Sequence, residues 1–89
     1  MRYVVVDRFR IRLHVPERER SLVVCFRGTA EMSESSLIGR TLRVHPPAGD
    51  WWEHPISDAR RLGPDLFGVE LAGQHERPVE VGWECELTE

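Results

Sequence analysis

The chain contains no lysine, no asparagine, two cysteines and one tyrosine, and its longest apolar run is the five residues Leu22 to Phe26. Each shortage removes a class of protein. Nothing approaches the ~20 consecutive apolar residues of a membrane helix, so no membrane association is expected. At the amino terminus Val4 to Val6 run straight into Asp7 and Arg8, an apolar stretch too short for an export signal. Cys25 and Cys85, with 59 residues between them, cannot supply the dense disulfide framework of small secreted domains; two buried thiols in a reducing cytoplasm are the expectation.

With lysine missing, all 12 basic residues are arginine, a compositional bias that says little about phosphate binding. They are outnumbered by 15 acids, for a net charge of −3. A duplex nucleic-acid binder has a basic domain as well as a basic patch, so duplex nucleic acid is not an expected partner. The charge is unevenly spread: residues 1–30 hold seven Arg against three acids, and residues 31–89 hold five Arg against twelve acids. A chain of 89 residues makes one domain, residues 1–89, burying only about 60–65% of its unfolded surface.

The dominant pattern is alternation with period two. In Arg8-Phe9-Arg10-Ile11-Arg12-Leu13-His14-Val15 every second residue is apolar, which predicts a strand with Phe9, Ile11, Leu13 and Val15 inward and Arg8, Arg10, Arg12 and His14 outward. Pro16 to Arg20 reads as a turn, and Leu22 to Phe26 as a second strand. Gly28 to Ser36 reads as a loop or a single helical turn, and Gly39 to His45 as a strand with Leu42 and Val44 inward. Pro46 to Asp50 is a bend, because two prolines fix φ and remove donors. Ile56 to Leu62 fits a short helix capped by Ser57 or, slightly better, the first arm of a hairpin turning at Gly63-Pro64-Asp65 into Leu66 to Leu71. The last strand places Val79, Val81, Trp83, Cys85 and Leu87 on one face and Glu80, Glu84 and Glu86 on the other. The expected fold is all-β, a small five- to six-stranded antiparallel barrel or roll with at most one short helix.

Closure of such a barrel sets first and last strands side by side, so Arg8, Arg10 and Arg12 are expected to face Glu80, Glu84 and Glu86 across them. The competing reading gives the arginines to an anionic ligand, since their planar forks match phosphate oxygens. Of Trp51 and Trp52, neighbours in an extended segment, at most one enters the core easily; the other is left as a contact anchor unless both cover the open end of the barrel. With the acidic face of Glu80, Glu84 and Glu86 they form the candidate interaction surface. His45, Asp50, Glu53 and His54 lie within ten residues but match no metal-ligand spacing, and no nucleophile, base and acid stand in a catalytic pattern. No catalytic residue, metal or cofactor is expected.

The stretch Phe26 to Leu37, with Glu31, Ser33 and Ser36 at the motif spacing and Glu34, Ser36 and Gly39 as a second register, resembles the PilZ domain motif. Arg8 and Arg12 have the spacing of that family's arginine pair, and Leu66-Phe67-Gly68-Val69-Glu70-Leu71 is similar to its late glycine-containing strand. The resemblance implies a six-stranded barrel binding a cyclic dinucleotide, cyclic di-GMP, with Arg8 and Arg12 clamping it and Glu31, Ser33 and Ser36 opposite. The same late strand followed by Val79 to Leu87 is also similar in rhythm to the small barrel closing nitrile hydratase beta chains, which implies an accessory module that contacts a subunit. The expected function is a non-catalytic interaction module (adaptor, accessory subunit or inhibitor) with a protein partner. A cyclic-dinucleotide sensor and a small metal protein are the alternatives, and edge strands make a homodimer possible.

Overall fold

The computed structural model describes residues 1–11, 21–74 and 76–89. Seven strands and one helical turn follow one another: β1 (Arg2–Ile11), β2 (Ser21–Arg27), α1 (Glu34–Leu37), β3 (Thr41–His45), β4 (Trp52–Pro55), β5 (Asp58–Arg61), β6 (Leu66–Ala72) and β7 (Glu84–Thr88). They form one antiparallel sheet in the order β4-β3-β7-β1-β2-β6-β5. The architecture is all-β, with seven strands rather than five or six, because the segment before the Gly63-Pro64-Asp65 turn splits into two short strands. No helix among the described residues is long and apolar enough to cross a membrane.

The two edge strands, β4 and β5, are separated only by Ile56 and Ser57. Ile56 still bonds Arg40 on the β3 side (N–H to O, 2.7 Å), while the Ser57 N–H reaches Glu70 O of β6 at 2.9 Å. One extended segment thus passes from one half of the sheet to the other, which forces the sheet to curl. β4 and β5 do not pair with one another, so the roll is not a closed ladder. Its concave side holds the core: Leu22, Val24 and Phe26 of β2, Leu42 and Val44 of β3, Phe67, Val69 and Leu71 of β6, with Val5, Leu37, Trp52, Val79 and Cys85. Phe26 anchors it, packed on Tyr3 at 5.1 Å and Phe67 at 6.3 Å between ring centroids. The hairpin β5–β6 takes the place of the capped helix as the outcome for residues 58–72, with Ala59 opposite Val69 on the core side.

Two alternation readings are corrected. In β1 the register slips between Val5 and Asp7, Val5 facing Phe26 and Asp7 facing Cys25. A bulge of one residue exchanges the faces of everything after it. Arg8 therefore lies opposite Val24 on the concave side, whereas Phe9 lies opposite Val23 on the convex side, 45% exposed. Leu13, Val15, Arg12 and His14 lie outside the described residues. In the last segment Gly82 has φ +95° and makes a turn, its N–H reaching Val5 O at 2.8 Å. Val79 is buried and Val81 is 57% exposed, so only Glu84 to Thr88 continue as strand.

Candidate functional site

β3 alternates strictly, Leu42 and Val44 inward, so Arg43 and His45 stand on the convex face of the β4-β3-β7-β1 half. The pairing registers put Glu53, Arg43, Glu86 and Arg2 directly across from one another on four successive strands. The row alternates in sign. Arg43 donates to Glu53 Oε2 through both Nε and Nη2 at 3.1 Å, and its Nη1 lies 3.5 Å from Glu86 Oε1. Opposite charges at facing positions are what such a ladder selects, each exposed pair contributing ~0.2–1 kcal/mol. One register step along, His45 Nε2 donates to Glu86 Oε1 at 2.7 Å, with the His45 side chain 13% exposed. The hydrogen bond from His45 is the main cause that holds the Glu86 carboxyl below the usual carboxylate range; burial opposes it, and the charges of His45, Arg43 and Arg2 add to it.

Trp51 caps this row. The bend Pro46 to Asp50 returns the chain from β3 to β4, and the two tryptophans then diverge as neighbours in an extended segment do. Trp52 enters the core, 7% exposed, with its Nε1–H on Pro78 O at 2.9 Å and Arg77 over its ring. Trp51 stays 51% exposed, with the Arg43 guanidinium 4.1 Å from its ring centroid. The same arginine is locked by two carboxylates, so the indole rests on a fixed cation at the surface.

The other residues singled out in the sequence are placed as follows. β1 and β7 are neighbours, but inside a sheet that does not close, and their ladder spans only Arg2 to Val4. Glu84 is met by Arg2 at 3.5 Å, and Glu86 by Arg43 and His45. Arg8 bonds Val79 O and Glu80 Oε2, both at 3.1 Å, and Arg10 reaches Arg77 O at 3.5 Å. The expected facing of the arginine and glutamate rows is therefore corrected: apart from Arg8 with Glu80, the glutamates of the last segment are met by Arg2 and Arg43, because the bulge turns Arg8 and Arg10 to the other face. Arg12 lies outside the described residues.

Ser33 and Ser36 form a capping box at α1, the Ser36 N–H donating to Ser33 Oγ at 3.2 Å and the Ser33 N–H to Ser36 Oγ at 3.1 Å. Glu31 is exposed in the preceding turn. Among the described residues no hydrogen bond or ion pair joins Arg8 to Glu31, Ser33 or Ser36. Of the metal-type cluster, His45 is committed to Glu86 and Glu53 to Arg43, and no group of three or more ligand-type side chains converges among the described residues. Cys25 and Cys85 are buried free thiols, their pKa values pushed by burial to about 11 and about 12.

Sequence reasoning found Trp51 and Glu86 but passed over Arg43, which joins them. The signal was available, since Arg43 occupies an outward position on a strand opposite acids. Comparison of the chain with family models, curated proteins and solved structures finds no match to any of them.

Proposed function

We propose that the chain is a non-catalytic binding module whose anchor for a protein partner is Trp51. The observation that carries this reading is the exposed indole held on Arg43, itself fixed by Glu53 and Glu86. An aromatic side chain kept in water by a rigid support loses little entropy on docking, and Trp and Arg dominate the energetics of protein interfaces. Glu53, paired with Arg43, and Glu84, paired with Arg2, are 39% and 49% exposed at their side chains and keep part of their carboxylate surface in water on this face. The partner that fits is a protein surface with an apolar pocket edged by basic residues.

Selection from a displayed library of random peptides tests the reading without a known partner. The expected binders carry basic residues and lose affinity by about tenfold or more against Trp51→Ala. Binders indifferent to Trp51, or none at all, would overturn the assignment.

A further inference from the structure

On the other half of the sheet the convex face carries a second feature, created by the bulge in β1. The registers of β1, β2, β6 and β5 set two adjacent rows across four strands. One is Phe9, Val23, Glu70 and Asp58; the other is Asp7, Cys25, Gly68 and Arg60. Ile11 and Leu62 flank them. Among Phe9, Ile11, Val23, Arg60, Leu62 and Glu70 lies a groove of about 240 Å³ whose lining is mostly apolar. Phe9 and Leu62 are 45% and 52% exposed on a face where Val23 and Cys25 are already buried.

Among the described residues the charges at the groove's β5 end are left without ion-pair partners. Asp58 and Glu70 stand directly across from each other, an unfavourable pairing of like charges. Among the described residues neither carboxylate has a basic side chain within ion-pair distance, and Arg60, two residues along the same face, has no acidic one. A purely basic ligand would satisfy the acids and be repelled by Arg60; an acidic one would do the reverse. A second copy satisfies both. With a two-fold axis parallel to the sheet and crossing the strands between the two rows, each row of one copy faces the other row of its mate. Arg60 of each copy then meets Asp58 of the other with Glu70 one strand away, Val23 meets Cys25, and Phe9 packs beside Asp7, whose carboxylate already accepts the Arg8 N–H.

Among the described residues the two edges of the sheet are partly blocked against pairing with a second copy. The Ala59 N–H of edge strand β5 is taken by the Asp58 carboxylate at 2.8 Å, and α1 packs against this strand. The opposite edge strand, β4, ends in Pro55, which has no N–H to donate.

We infer that the chain forms a two-fold homodimer through this convex face, with apolar packing over the groove and reciprocal pairing of Arg60 with Asp58. This surface is on the half of the sheet away from Trp51, and its fate is independent of the binding reading above.

Sedimentation velocity on the full chain, from micromolar to millimolar, tests the inference. The unmodified protein is expected to be a dimer. Leu62→Asp, Arg60→Glu and Asp58→Arg, all at positions outside the core, are each expected to weaken association by about a hundredfold while retaining the wild-type circular dichroism spectrum. Mixing the Arg60→Glu and Asp58→Arg chains restores both cross-pairs and is expected to give a heterodimer that neither forms alone. A wild-type monomer at millimolar concentration would overturn the inference. So would wild-type association by the Leu62→Asp and Arg60→Glu chains, or failure of the two folded charge variants to combine.

Discussion

The Arg43 guanidinium lies 4.1 Å from the centroid of the Trp51 ring while the same group is held by Glu53 and Glu86. The indole is thus positioned by electrostatics, not by burial. Two variants separate these roles. Trp51→Ala removes the covered half of the indole and its contact with Arg43, and is expected to cost about 1 kcal/mol while leaving the Arg43 ion pairs in place. Arg43→Ala loses two ion pairs and the ring contact, costs about 1 kcal/mol, and frees the indole. Urea denaturation gives the energies, and a red-shifted tryptophan emission in Arg43→Ala reports the release.

Glu86 links this surface to pH. Hydrogen bonding from His45 leads the causes that lower its folded pKa below the unfolded value. The stabilisation it contributes is therefore complete above the unfolded pKa of about 4.3 and is lost as pH falls through the lower folded value. Glu86→Gln is expected to remove that part of the acid limb. Urea midpoints for the two proteins should converge as pH is lowered from about 5 toward 3.

Gly28 and Gly68 predict opposite tolerances. A Cβ on Gly28 would sit 2.5 Å from Met32 Sδ and 3.2 Å from the buried Phe67 ring. One on Gly68 would meet Leu62 Cδ1 at 3.2 Å, and Leu62, half exposed, can swing aside. Gly28→Ala should cost about 1–3 kcal/mol by overpacking. Gly68→Ala should fall within about 0.5 kcal/mol of wild type, since alanine also recovers backbone entropy in a strand. Thermal melts of the two variants check the contrast.

The hydroxyls of Ser33 and Ser36 are spent on capping α1, and Arg8 on Val79 and Glu80. Titration calorimetry with cyclic di-GMP is accordingly expected to give no binding heat. Heat that disappears in Arg8→Ala would instead support the cyclic-dinucleotide reading.

Much of the fold is legible in the sequence because a half-buried strand writes its facing into every second residue. Leu42 and Val44 alternate with Arg43 and His45, and the Gly63-Pro64-Asp65 turn marks its hairpin. The failures share a cause: one residue of backbone geometry changed the face. The bulge at Val5 to Asp7 has no side-chain signature in a run of valines, yet it turns Phe9 out and Arg8 in. At Gly82 the glycine was visible, but an unbroken alternation around it outweighed the turn it makes. The surface of the β3 half was readable in part, Trp51 from its neighbour Trp52 and Glu86 from the acidic ladder. Their union through Arg43 depends on β3 lying next to β7, a pairing between strands distant in sequence that alternation cannot reveal. The groove on the β2 half depends wholly on the bulge and was not readable at all.

The most direct test of Trp51 as a docking anchor is photo-crosslinking from a benzophenone side chain at Asp50, beside the indole, in the cells that make the protein. A defined crosslinked protein that disappears when Trp51→Ala is added is the expected result. The same crosslinks with and without Trp51, or none above those from a probe at exposed Ile38, would contradict it.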